Sequence, residues 1–315
     1  MLFTPILKTK QSSEYHAIEA AKEIFKAKPF VRPYIECIKE IDERGVQKYI
    51  ELLDDCFYFL EPSQSDIPSV LSNINSYPAN CTVVLRINDN TAPADVESFI
   101  FANKINNRRC ALKINNSDDR YVRYIKRLTN DDYLFVELGG TAYSSSSFLD
   151  DLLSENLDCK IIIHSNERDQ YLRGEDFANY AFNKKANFNF SIIDAIKAKT
   201  FAFDGFGSRC TTKDDNTEDV KKATPIYGVF LIYDYNNNNI FSVKSSYKDY
   251  IARIYYDVRN LVNKNMVSLD LMFFSHSPIT KKILDFYMGL EKTSCNKFIT
   301  ISIVRYIEEI ANNLV

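Results

Sequence analysis

"TVVLRINDN", residues 82–90, is followed by "CALKINNSD", residues 110–118, and the second paraphrases the first. Each is a short apolar run ending in a cation (Arg86, Lys113), then one more apolar residue and a polar tail. Between them lies "APADVESFIFANKIN" (92–106), with proline in its first turn, as a helix start allows. Strand, helix, strand is therefore the reading of this stretch, and it recurs along the chain.

Six further runs have the same form: "FTPILK" (3–8), "VRPYIE" (31–36), "CFYFLE" (56–61), "YLFVEL" (133–138), "CKIIIHS" (159–165) and "TFAFDG" (200–205). Amphipathic segments separate them, the longest being "RDQYLRGEDFANYAFN…SIIDAIKAK" (168–199). The last charged residues of the eight runs are Lys8, Glu36, Glu61, Arg86, Lys113, Glu137, His164 and Asp204, spaced 24 to 28 residues apart with a final step of 40. Such alternation argues a parallel sheet, and eight units favour closure. The expected fold is α/β, a (β/α)8 TIM-like barrel over 1–210. No glycine-rich phosphate loop follows the first strand, which disfavours an open dinucleotide-binding sheet.

Beyond the barrel, residues 211–315 are expected to form a polar loop, a β-hairpin around Asn236–Asn239, and three helices packed on the barrel wall as one structural unit. These are "YKDYIARIYYDVRNLVNKN" (247–265), "SPITKKILDFYMGLE" (277–291) and "KFITISIVRYIEEIANNLV" (297–315).

Composition narrows the function class. The 315 residues are 45% hydrophobic and 26% charged, with a formal net charge of −3, so nothing draws the chain as a whole to nucleic acid. Seven cysteines without a C-x-x-C pair, four of them at or just before the start of apolar runs, read as small buried residues in a reducing compartment. The start of the chain lacks a signal-peptide pattern, and no apolar stretch is long enough to span a bilayer. A cytoplasmic protein without a membrane partner is the expectation.

Side chains alternate along a strand, so all eight ionisable residues are expected at the C-terminal ends of the strands, where barrel enzymes build their sites. Two readings stay open. The ring is either a salt-bridged plug or a reactive mouth. In the second, Lys113 and Glu137 form a proton-transfer pair, His164 serves as general acid or base, and Arg86 neutralises developing charge. Glu36, Glu61, Glu137 and Asp204 with His164 have the chemistry for a hard cation, but no ligand spacing supports it, so no metal is expected. Two segments read as anion-binding loops: "GGTAYSSSS" (139–147) and "DGFGSR" (204–209), the latter offering Gly205, Gly207, Ser208 and Arg209 to a phosphate. "KDDNTEDVKK" (213–222) reads as a solvated loop. The 20 tyrosines and 22 phenylalanines are scattered and read as core rather than a base-stacking platform.

The opening "FTPILKTKQSSEYHAIEAA", followed by "RPYIE", resembles the start of the "protein beta" family of tailed bacteriophages and bacteria. In that family a P-I-L-K strand, a polar turn with Glu-Tyr and a helix precede a P-L-I-E-like strand. Pro5, Ile6, Leu7, Lys8, Glu14, Tyr15, Pro33, Ile35 and Glu36 stand at the matching positions. "FDGFGS", "FLIYD" and "NKFITISIVRYIEEIA" echo its later blocks, although "KFITIS" lacks the histidines of many members. The resemblance implies a barrel-type cytoplasmic protein active in phage–host conflict, and it implies no particular reaction or cofactor.

Two functional expectations follow. The first is a binding or regulatory protein that recognises a protein partner or an anionic small molecule at the barrel mouth. The second is a hydrolase or lyase acting on a phosphorylated or nucleotide-like substrate through Glu137 and His164, with Lys113 and Arg86 steadying charge. Oligomeric state is left open.

Overall fold

In a computed structural model, the residues described are 1–9, 12–37, 43–63, 67–88, 91–115, 121–138, 147–165, 182–186, 190–209, 227–234, 239–246 and 295–314. Eight parallel strands close into a barrel: β1 (Leu2–Lys8), β2 (Tyr34–Glu36), β3 (Tyr58–Glu61), β4 (Cys81–Arg86), β5 (Ala111–Asn115), β6 (Tyr133–Leu138), β7 (Lys160–Ser165) and β9 (Phe203–Arg209). Helices alternate with them: α1 (Ser12–Ala27), α2 (Glu43–Leu52), α3 (Ile67–Ser72), α4 (Pro93–Ile105), α5 (Val122–Ile125), α6 (Ser147–Ser154) and α7 (Phe190–Lys197). This is the closed TIM-like α/β barrel that the spacing predicts.

The opening repeat shows why these residues form these elements. Arg86 pairs with Lys113 in the β4–β5 register, so the two paraphrased strands lie side by side. Helix α4 between them buries Val96, Phe99, Ile100 and Asn103, the spacing of one helix face. The Asn103 amide N–H donates to the Phe99 carbonyl at 2.9 Å inside that face, while its Oδ1 has no partner among the described residues.

Alternate residues fill the barrel. Leu2, Ile6, Tyr34, Phe59, Val84, Ala111, Tyr133, Phe135 and Ile162 form one buried cluster inside it. Phe59 meets Tyr133 and Phe135 edge-on, at 5.0 and 4.9 Å between ring centroids. Residues of the opposite parity, such as Leu85, Leu112, Val136 and Ile163, are buried as well, as parallel strands covered on their outer face require.

The eighth barrel strand differs from expectation. It runs over Phe203–Arg209 rather than 200–205, so "DGFGSR" is strand and not a phosphate loop. Gly205 and Gly207 occupy strand positions because neighbouring chains leave no room for a Cβ. At Gly205 a Cβ would collide with the Leu2 carbonyl, whose carbon would lie 2.7 Å away; at Gly207 it would collide with Thr4 and lie 2.6 Å from His164. Asp204 is consequently the second residue of β9, at the end of the barrel away from the mouth. Gly205→Ala is expected to cost about 1–3 kcal/mol through overpacking at the β1–β9 seam. A urea midpoint equal to that of the wild type would show the seam to be slack.

The segment read as one long helix also differs. It contains β8 (Phe182–Ala186) and then the short α7. Strands β10 (Tyr227–Asp234) and β11 (Asn239–Ser246) pair antiparallel, and β8 joins the far side of β11, giving the order β10-β11-β8. A further helix, Cys295–Asn313, packs against β10. The first two helices expected after residue 246 lie outside the described residues. The chain divides into two compact units, 1–10 with 22–167 and 189–209, and 11–21 with 168–188 and 210–315. The second unit thus takes in segments from within the first 210 residues.

Candidate functional site

The inward parity that fills the barrel with rings delivers charges at the strand ends. On β3, Phe59 faces inward and so does Glu61; on β4 Val84 is followed by Arg86, on β5 Ala111 by Lys113, and on β6 Phe135 by Glu137. Arg86 is the hub. Its Nη2 donates to Glu36 at 2.8 Å, its Nη1 to Glu137 at 2.9 Å, and its Nε to Glu61. Lys113 donates to Glu61 at 2.9 Å and lies 3.6 Å from Glu137. The Tyr34 hydroxyl donates to the same Glu61 carboxylate. Lys8 is buried and sits in register with Glu36.

Burial and charge set the protonation of each group. Burial raises the Glu61 carboxyl, but Lys113 and Arg86 outweigh it and hold it at about 2. Glu36 moves the other way. Burial dominates, Glu61 and Glu137 add to it, and its pKa rises to about 7. Burial pushes the Lys113 ammonium down, yet Glu61 and Glu137 more than restore it, so it stays charged. Two cations, Arg86 and Lys113, therefore face three carboxyl groups, and a proton on Glu36 brings this group to neutrality.

His164 lies beneath the charges. Its register partners are Glu137 on β6 and Gly207 on β9, and the imidazole is fully buried against Tyr34 and Phe135 at 4.6 and 4.7 Å. The Thr4 hydroxyl donates to the Phe206 carbonyl at 3.3 Å, so the imidazole Nε2–H must be the donor in the 3.0 Å contact with Thr4. Nδ1 is then a bare acceptor, with no donor among the described residues. Burial, with Lys113 and Arg86 nearby, holds the His164 pKa well below its ordinary value.

The cluster thus brings Glu36, Glu61, Arg86, Lys113 and Glu137 together at one end, with Lys8 on the neighbouring strand in register with Glu36, and sets His164 one layer deeper. Asp204 is absent from it, because β9 begins where the expected strand was to end. Gly205, Gly207 and Ser208 are buried strand residues, and Arg209 is the last residue of β9, in register with Ile6. Of the expected loops 139–147 and 213–222, all but Ser147, the first residue of α6, lie outside the described residues. Tyr34 and Thr4 were not anticipated. The available signal was parity: each precedes a mouth residue on its strand by an even number of positions.

The chemistry follows from the geometry. Arg86 and Lys113 are already neutralised by carboxylates, and His164 is neutral and sealed from solvent. Lys113 and Glu61 are almost wholly enclosed, whereas the Arg86 side chain retains 25% of its exposure. The cluster is an ion-pair network with one guanidinium at its open side. Among the described residues no group of His, Cys, Asp and Glu is arranged to hold a metal ion. Cys37, Cys56, Cys81, Cys110 and Cys159 are buried thiols outside any disulfide.

The fold and site together define an α/β protein of the closed TIM-like barrel class with a charge-networked mouth. No known family model matches the sequence, and no curated protein matches it. Among the described residues no helix is long and apolar enough to cross a membrane.

Proposed function

We propose that this protein is a barrel-type binding or regulatory protein of phage–host conflict that recognises an anionic group, on a small molecule or an acidic partner, at the C-terminal barrel mouth. The observation that carries this reading is Arg86, the partly exposed hub whose Nη2 is held by Glu36, the carboxylate with the raised pKa. An incoming carboxylate or phosphate replaces Glu36 on the guanidinium fork, and Glu36 takes up a proton as it leaves. The setting in phage–host conflict rests on the resemblance of the opening motif. A hydrolase or lyase is less well supported, since the expected general acid–base, His164, is enclosed by Tyr34 and Phe135.

Calorimetric titration with inorganic phosphate, a nucleoside monophosphate and a glutamate-rich peptide tests the reading. At least one is expected to bind saturably, more tightly near pH 6 than near pH 8. Arg86→Lys, which keeps the charge but not the fork, is expected to weaken binding by about tenfold. Absence of binding by all three at both pH values would remove the proposal. In bacteria challenged with a tailed phage, the wild-type chain is expected to change plating efficiency and Arg86→Lys to lose that effect.

A further inference from the structure

Of the five large apolar side chains exposed among the described residues, Phe101 and Ile105 stand one turn apart on α4, at 61% and 59% of full exposure. Ala94 and Ser98 lie on the same face and are exposed as well. The steps between these residues are four, three and four positions, the spacing of a helix–helix seam. They lie opposite Val96, Phe99, Ile100 and Asn103, the face that α4 buries on the barrel. Helix α4 thus carries an apolar stripe on each side, and a helix of that kind is one covered on both.

The neighbouring helices leave the outer stripe clear. With 13 residues α4 is about 20 Å long, whereas α3 and α5 on either side have 6 and 4 residues. Two charges run along one flank of the stripe, Glu97 in its first half and Lys104 in the last turn. Both rest on Arg127, whose guanidinium pairs with Glu97 Oε1 at 3.0 Å and whose carbonyl accepts from Lys104 at 2.6 Å. Arg127 takes one carboxylate oxygen and one ammonium hydrogen, so each side chain keeps capacity for a further partner.

The stripe complements itself. In an antiparallel pair with a two-fold axis between Ser98 and Phe101, Ala94 faces the partner's Ile105 and Ser98 faces the partner's Phe101. Each large side chain then meets a small one. The same axis brings Glu97 to the partner's Lys104, and symmetry makes that contact twice. A parallel pair would set Glu97 against its own copy, and it would align the helix dipoles unfavourably. Other occupants fit less well: the face is convex and encloses no ligand, and flank charges of both signs draw neither lipid nor nucleic acid. We propose that the protein forms a two-fold dimer through the outer face of α4, packed antiparallel against α4 of a second copy. Because α4 runs alongside the strands, the two barrels lie antiparallel and their mouths point to opposite ends. One helix pair is smaller than a standard interface of about 1,600 Å², so the dimer is reversible, with dissociation in the micromolar range.

Sedimentation equilibrium of the full chain across the micromolar range tests this. The wild type is expected to pass from monomer to dimer, with no larger species. Phe101→Asp places two carboxylates in the seam and is expected to weaken association about a hundredfold or more, with the urea midpoint of the dilute monomer unchanged. Ile105→Asp, in the last turn, is expected to act in the same way. Glu97→Lys and Lys104→Glu each exchange two opposite-charge contacts for two like-charge ones, and each is expected to weaken the dimer about tenfold. The double variant Glu97→Lys/Lys104→Glu is expected to recover most of that loss. The proposal falls if the wild type stays monomeric throughout, or if both aspartate variants dimerise as it does. It falls equally if the double variant is as weak as the single ones, because antiparallel pairing requires the recovery.

Discussion

Lys113→Met is expected to lose about 3–5 kcal/mol of folding stability at neutral pH. The lysine side chain is only 1% exposed, and Glu61, at 4%, would keep its charge with Arg86 as its remaining cation. Removing one partner of a buried pair leaves the other's desolvation uncompensated, which is why the loss exceeds that of a surface ion pair. The double variant Lys113→Met/Glu61→Gln removes that stranded charge and is expected to recover part of the loss. Urea midpoints of the wild type, the single and the double variant decide the matter. A single variant as stable as the wild type would mean that the cluster is held at a cost to stability for the sake of its ligand.

The second large effect is a pair of opposed pH dependences. The Glu36 pKa is raised from an ordinary 4.5 to about 7, so between those values the folded chain binds more protons than the unfolded one. Stability from this group therefore increases as pH falls from 7 towards 4.5, by about 3 kcal/mol at about 1.4 kcal/mol per unit. His164 acts in the other direction. Its folded pKa lies below 6.5, so the unfolded chain takes up the proton first and stability falls as the pH drops through 6.5. In the wild type the two offset each other over pH 4.5–6.5. Glu36→Gln is expected to unmask a decline on acidification, and His164→Gln a rise. Unfolding free energies measured across this window check both, and a Glu36→Gln profile superimposable on the wild type's would contradict the raised carboxyl.

The barrel was legible because its signal is repeated. Arg86 and Lys113 end equivalent strands, and the same parity predicts Glu61 and Glu137 beside them. Legibility failed where a residue's role is set by a distant neighbour. Gly205 and Gly207 look like loop residues locally, and only the approach of Leu2, Thr4 and His164 makes them strand. Once β9 slid towards its C-terminal end, Asp204 left the mouth. The segment 182–186 failed for a related reason, since its pairing partner in β11 lies more than fifty residues downstream. Thr4 and Tyr34 escaped because a hydroxyl in an apolar run carries no mark of the acceptor it will meet.

The glycine seam has a consequence for how the chain is made. β1 lies against β9, so the first strand synthesised finds its second neighbour about 200 residues later. Until β9 is available, β1 and β7 each present an unpaired edge, and unpaired edges invite pairing with other chains. Ring closure is then the late, non-local step on which the yield of folded protein depends, and a chain that stops short of Phe203 is expected to aggregate during synthesis rather than persist as a smaller barrel.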